Sequence, residues 1–340
     1  VWTGPRPAGI AASNTSQEWA GRTWATVVLP LPGGQGAVVR LLVHEAFHVV
    51  QGGLFPGETN TEYADGMDLL DSAEGRTWLR MELAALGTAL ESTGAERFSA
   101  AADALLFHHR RLAAAHLSEA SREHELELWE GLPEYTAWRL TGATSAEVAS
   151  HTRSLPADRG WSRSFAYHTG PAYGFLLDAL RPGWPAEAVR QRDLQALLAG
   201  AVADARGEAY GLGEVRRAEG EREARHRERL ERLRHAYTSS PLLRLPLNGQ
   251  MISFNPHDVV PLDGGVHRGN LTWRNEDGSF LEAPAGALVT QDFSEIRLVC
   301  AERPEAPGTT SGDGWTLRLA EGWRAEAVGD GWKILRQQGD

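Results

Sequence analysis

One stretch restricts this chain more than any other: Leu41-Leu42-Val43-His44-Glu45-Ala46-Phe47-His48-Val49-Val50-Gln51. On a helix, residues four apart share a face, so His44 and His48 aim two imidazoles at one point with Glu45 beside them. Around them Val38, Val39, Leu41, Leu42, Val43, Ala46, Phe47, Val49 and Val50 leave few positions that are not apolar. That is the pattern of a helix buried on all sides. Two histidines and a glutamate taken out of water need partners, and a metal ion supplies one. Zinc accepts imidazole nitrogen and carboxylate oxygen, and a catalytic zinc keeps three protein ligands and leaves the fourth position to water. The neighbouring carboxylate then has a task, taking the proton from that water as it attacks a carbonyl. The competing account is three common residues meeting by chance on a core helix; a third ligand from elsewhere in the chain decides between them.

At 340 residues the chain has the length of two domains, and its 42% hydrophobic and 23% charged residues are those of a globular protein. A formal net charge of -11 with no Lys/Arg block argues against a nucleic-acid partner. Cys300 is the single cysteine, so neither an internal disulfide nor a cysteine metal site is expected. No run of eighteen apolar residues is present to span a bilayer. Lys333 is the single lysine among many arginines, a usage expected of a GC-rich genome. The chain opens at Val1 rather than Met; the expectation is that an upstream segment has been removed, whether signal peptide, natural cut or artificial boundary, and that the protein is exported.

Before the histidine helix, residues 1–16 read as irregular and residues 24–29 as a strand, either an edge able to pair with an extended peptide or an ordinary core strand. Beyond Gly52-Gly53, the acidic residues Glu62, Asp65, Asp68 and Asp71 lack the order of an EF-hand and read as solvated. Helical spacing recurs over 72–90, where Glu82 is a possible ligand, and over 98–118, whose His108, His109 and His116 are expected at the surface or at caps. Pro133 in Leu128-Trp129-Glu130-Gly131-Leu132-Pro133-Glu134-Tyr135 predicts a new helix starting near Glu130, because proline suits only a first turn. Glu130 and Glu134 then lie one turn apart on a common face, and either reaches a metal.

His44-Glu45-Ala46-Phe47-His48 followed by Glu130-Gly131-Leu132-Pro133-Glu134-Tyr135 resembles the gluzincin metallopeptidases, whose second zinc helix commonly opens Asn-Glu-Gly-x-Ala-Glu-Tyr. The resemblance implies that Glu130 is the third zinc ligand, with Trp129 and Pro133 departing from the family pattern at positions that are not ligands. The 82 residues from His48 to Glu130 exceed the separation in the better-known branches, so the intervening helices are an insertion and Glu134 and Glu82 stand in reserve. A third segment, Tyr167-His168-Thr169-Gly170, is similar to the family's Tyr-x-x-Gly, in which the tyrosine hydroxyl supports the oxyanion. Tyr167 is expected on a loop before a helix beginning near Thr169 or Pro171, with His168 as its substitute and Tyr173 in the core. No Gly-x-Met-Glu-Asn segment is present, so the resemblance does not extend to aminopeptidases.

Residues 185–205 read as one amphipathic helix, and 214–237 as a solvent-exposed arginine and glutamate helix laced with i,i+4 pairs. From Leu242 the character changes to short β-prone runs at 251–254, 270–273, 287–290, 295–300, 315–319, 323–328 and 332–335, with Gly329-Asp330-Gly331 as a hairpin turn. The expectation is an α+β protein: an α-rich gluzincin-type catalytic domain with a small sheet over 1–240, then an all-β domain over 241–340 with Trp315, Trp323 and Trp332 mostly inside. The function expected is that of a zinc-dependent peptidase acting on a peptide or protein substrate, with Zn2+ on His44, His48 and Glu130, Glu45 as base, and Tyr167 or His168 at the oxyanion. A non-catalytic module pinned by zinc and a zinc hydrolase acting on a non-peptide substrate are the alternatives.

Overall fold

Apolar residues recur at three- and four-residue spacing through most of the first two thirds of the chain and alternate in the last third, and after an N-terminal hairpin the molecule is helical and then all-strand accordingly. The structure, a computed structural model, describes residues 4–5, 7, 9–56, 68–115, 117–156, 161–162, 164–202, 205–207, 210–247, 252–255 and 258–336. Glu62, Asp65, His116 and Met251 fall outside the described residues, as does the side chain of Asp68. The fold is α+β, and it divides into two units, Val1–Glu221 and Arg222–Asp340.

The first unit opens with a hairpin, β1 (Thr15–Trp19) and β2 (Arg22–Thr26), turning at Ala20 and Gly21, both with positive φ. It is the only sheet among the described residues of this unit, and it packs on α1 (Gln35–Leu54). The strand expected at 24–29 therefore ends at Thr26, and part of the irregular stretch before it forms its partner. Helix α1 corrects a second expectation. It is not buried on all sides: the residues it buries are His44, Glu45, His48 and Gln51, while Val39, Leu42, Val50 and Leu54 are exposed. A run of apolar residues announces a helix without saying which face turns inward, and here the polar face wins because it meets hydrogen-bonding groups.

After the short α2 (Asp68–Asp71), α3 (Ala73–Glu91) begins at a Ser72 cap and packs along α4 (Gly94–Ala113), giving the layer of Met81, Leu86, Ala89, Leu105 and Phe107. Asp71 is not simply solvated, since its carboxylate accepts the Trp161 backbone N–H at 3.0 Å. Helix α5 (Leu117–Leu126) then runs without interruption through a π-helical turn, Glu127–Gly131, into α6 (Leu132–Leu140). Helices α7 (Ser145–Arg153) and α8 (Ala166–Leu180) follow, α8 carrying Tyr173, Leu176 and Leu177 into the core. The single helix expected at 185–205 is two, α9 (Trp184–Gln191) and α10 (Leu194–Ala199), split where Arg192 takes a left-handed conformation and Asp193 caps the second.

Helix α11 (Leu212–Ser239) is the charged helix, and it belongs to both units. Near its start Glu219 is buried against Arg76 at 2.6 Å and Arg80 at 2.5 Å; further along, Leu230, Leu233 and Tyr237 pack on Val260, Leu262 and Leu288 of the second unit. The boundary expected at 240 thus moves upstream into the helix. Beyond it a seven-stranded sheet runs in the order β13 (Trp323–Val328), β14 (Gly331–Arg336), β3 (Leu242–Pro246), β10 (Glu295–Val299), β9 (Ala287–Val289), β6 (Gly265–Arg268), β5 (Val259–Leu262). A five-stranded sheet in the order β11 (Gly308–Gly312), β12 (Trp315–Leu319), β8 (Phe280–Ala283), β7 (Leu271–Arg274), β4 (Ile252–Ser253) shares one core with it. Leu243 and Leu245 of β3 and Ile296 of β10 come from the first; Trp273 of β7, Leu281 of β8 and Leu317 of β12 come from the second. Strands β13 and β14 close through the two-residue Gly329-Asp330 loop, and Trp323 is buried. No helix among the described residues is long and apolar enough to cross a membrane.

Candidate metal centre

Helix α1 lies against α6 and the π-turn, and the polar face of α1 is what it presents there. His44 Nε2 stands 3.1 Å from Glu130 Oε2, His48 Nε2 stands 3.6 Å from the same oxygen, and the two Nε2 atoms are 3.2 Å apart. Ligands about 2.0–2.2 Å from a tetrahedral ion are separated from one another by roughly 3.3–3.6 Å, so these three atoms have the spacing of three corners around such an ion. Among the described residues His44, His48 and Glu130 form the one group of this kind. All three are buried.

The outer nitrogens decide which inner ones are free. His44 Nδ1 is 2.9 Å from Glu134 Oε2, and His48 Nδ1 is 2.7 Å from Gln51 Oε1; both partners are acceptors, so each Nδ1 carries the proton and each Nε2 turns a lone pair inward. Two lone pairs and a carboxylate facing each other repel unless a cation stands between them. In the protein without metal a proton plays that part: burial works to lower His44, but Glu130 and Glu134 outweigh it and raise the imidazole to about 9. Despite its burial, Glu130 is held well below the usual carboxylate range by the His44 and His48 imidazoles beside it and by the Tyr167 hydroxyl.

Gln51 has a second role, and proline explains it. Pro133 has no N–H to return to the carbonyls four and five residues back, those of Trp129 and Leu128. The Gln51 Nε2 donates to both, at 3.1 and 3.0 Å. Pro133 therefore does not start a new helix, as its presence had implied; it opens a π-turn inside a continuous one, and the released carbonyls bind α1. Glu130 lies within that wide turn. On the other side of the turn, Gly131 meets Gly170 of α8, where a Cβ on Gly170 would come within 2.2 Å of the Gly131 Cα. Contact of backbone on backbone brings α8 up to His44 and Glu130.

Tyr167 lies in the first turn of α8, since the helix starts at Ala166 rather than beyond it. Its hydroxyl donates to Glu130 Oε2 at 2.7 Å, and its ring stacks on His44 at 5.4 Å. Pro171 lies inside α8 and leaves the Tyr167 carbonyl without its helical donor; His151 Nε2 supplies one at 2.9 Å. Burial and the charge of Glu130 push the Tyr167 phenol well above its ordinary value, so it remains a donor. His168 turns instead to α7, donating from Nδ1 to the His151 carbonyl at 2.8 Å and stacking on the His151 ring at 4.4 Å. Burial and His151 bring it down to about 4. No family model, curated protein or solved structure matches this chain.

Of the two reserve ligands, Glu134 holds His44 from behind and also accepts the Trp138 indole N–H at 2.8 Å. Glu82 belongs to another cluster. It is fully buried, accepts from Arg111 and from the Tyr173 hydroxyl at 2.7 Å each, and lies 3.4 Å from His108 Nδ1. His108, expected at the surface, is inside for that reason; His109 is exposed. Glu127 completes this cluster, accepting from Gln195. Burial and the Glu82 charge raise its carboxyl to about 7. Gln51, the glycine pair and the His48–Trp129 ring stack at 5.6 Å are features that the reading of the sequence missed. Only Gln51 left a signal there, as a polar residue one turn beyond His48 on the same face.

Proposed function

We propose that His44, His48 and Glu130 hold a zinc ion and that the protein is a hydrolase of peptide bonds. The observation that carries this reading is the convergence of two Nε2 atoms and one carboxylate oxygen at ligand spacing, with both imidazoles fixed from behind and Glu45 buried beside them. The motif resemblance to gluzincins adds the substrate class. Zinc, when bound, supplies Lewis acidity toward a carbonyl and makes water a better nucleophile at neutral pH. Glu45, next to His44 on α1, takes the proton of the attacking water and passes it to the departing amine. A site that served stability alone has no use for that carboxylate. Tyr167, kept as a phenol, donates to the oxygen that gains charge in the transition state, having exchanged its contact with Glu130 for one with substrate. Glu134 and Gln51 keep the imidazole tautomers throughout.

The test pairs metal analysis with one substitution. The wild-type protein is expected to carry one zinc per chain and to cleave a mixed peptide digest, and Glu45→Gln is expected to keep the zinc and lose the cleavage. A chain without zinc, or a variant that cuts as fast as wild type, would overturn the reading.

A further inference from the structure

On α1, one turn before His44, stands Arg40. Its guanidinium carbon lies 4.6 Å from the centre of the Trp138 ring, on α6. That ring in turn sits 4.7 Å from His151 on α7, whose imidazole stacks on His168 of α8. Four helices thus contribute one member each to a row of flat groups. The row adjoins the ligands directly, because the Trp138 indole donates to Glu134, which holds His44.

Arg40 is the permanent cation of this row. His151 is lowered by burial, and the neighbouring Arg40 charge works in the same direction; His168 is lowered further. Among the described residues no carboxylate lies within ion-pair distance of the guanidinium. Glu147, whose carboxyl the Arg40 charge helps to lower, is hydrogen-bonded to the backbone and hydroxyl of Thr144 in the α7 capping box, and Glu134 is taken by His44 and Trp138. Arg40 therefore acts on Glu147 through space but forms no ion pair with it among the described residues. The guanidinium lies over the face of the indole, and Arg40 is only half-buried. A planar, pre-oriented fork recognises a carboxylate with two parallel hydrogen bonds.

Resting on the peptidase reading above, we infer that Arg40, held on Trp138, binds a substrate carboxylate close to the scissile bond. The distance follows from the helix. Arg40 and His44 are four residues apart, a rise of about 6 Å, and an extended peptide covers about 3.3–3.6 Å per residue, so the carboxylate sits one or two residues from the cleaved bond. A free chain terminus and an acidic side chain present the same group.

Matched pairs of N-acetylated peptides separate these sources on the full, zinc-loaded chain. One pair differs only in a C-terminal acid or amide; the others are amide-blocked and carry Glu or Gln at each of the two positions on either side of the cut. The expected result is a kcat/KM higher by about 10-fold or more for the charged member of one pair, with the ratio brought close to one by Arg40→Gln and kept in part by Arg40→Lys. The same pairs are titrated calorimetrically into Glu45→Gln, which reads binding without turnover; the charged member is expected to bind tighter, and the advantage to vanish in Glu45→Gln with Arg40→Gln. Melting curves check that each variant is folded. If the acid-ended pair discriminates, the ligand is the chain terminus; if a Glu/Gln pair does, it is a side chain. Cleavage and binding indifferent to charge, or a ratio that Arg40→Gln leaves unmoved, overturn the role of Arg40 while the peptidase reading stands. Absence of all cleavage strikes the peptidase reading, and the calorimetric arm then decides on Arg40 by itself.

Discussion

Glu134 and Glu130 are one turn apart and touch the same imidazole on opposite nitrogens, which gives them different jobs. Glu130→Gln is expected to abolish tight zinc binding, because it removes a charged ligand. Glu134→Gln, which keeps an acceptor but loses the charge behind His44, is expected to lower zinc affinity by about 10–100-fold, as measured by competition with a chelator. Equal losses in the two variants would mean that both are ligands. Helical spacing brought the choice down to three acids without ranking them, and it was the motif resemblance that put Glu130 ahead of Glu134 and Glu82; the packing of Arg111 and Tyr173 around Glu82 removes that one. Glu127 gives a second prediction. Its carboxyl is raised from 4.5 to about 7 by burial and by Glu82, so the folded chain holds this proton more tightly than the unfolded one does. The sign follows: that stabilisation is complete below pH 4.5 and is lost as the pH climbs through about 7. Denaturation midpoints taken at about pH 5 and about pH 8 are expected to fall for the wild type and to fall less for Glu127→Gln.

Elements show a sharper division between what periodicity reveals and what it hides. Helices α3, α4 and α11 and most of the strands were legible, because spacing and turn residues act locally. The inward face of α1 was not legible, because which side of a helix is buried depends on what faces it. Nor were the two prolines. Pro133 and Pro171 each look like a helix start, yet each sits within a continuous helical run, and the carbonyls they strand are taken up by Gln51 and His151 from neighbouring helices. Those side chains lie 82 and 20 positions away in the chain, beyond any local rule. The glycine crossing is likewise a tertiary fact. In Gly170→Ala the added Cβ meets backbone on the π-turn, so α8 has to retreat and carry the Tyr167 hydroxyl away from Glu130. A loss of about 1–3 kcal/mol in stability is expected, together with weaker zinc binding; a variant with unchanged melting and unchanged metal affinity would show that the crossing is slack.

At the scale of the whole molecule, composition and the change of character near Leu242 pointed to two bodies and misplaced their border. The border was illegible because α11 is charged along nearly its whole length, and the few apolar residues on its last turns, Leu230, Leu233 and Tyr237, are too sparse to look like a core-forming face. They nonetheless cover Val260, Leu262 and Leu288 of the β unit. A fragment of residues 222–340 is therefore expected to melt cooperatively and at a higher temperature than one of residues 241–340, which bares those three side chains. Equal melting of the two would place the border back at the end of the helix. A helix owned by two neighbours also constrains how such a chain is rearranged by recombination or by an engineer. Whoever grafts the β unit onto another protein, or removes it, inherits or forfeits the last eighteen residues of α11 with it, so the natural unit of exchange brings its own stretch of helix and a cut made at the visible change of character strips that cover away.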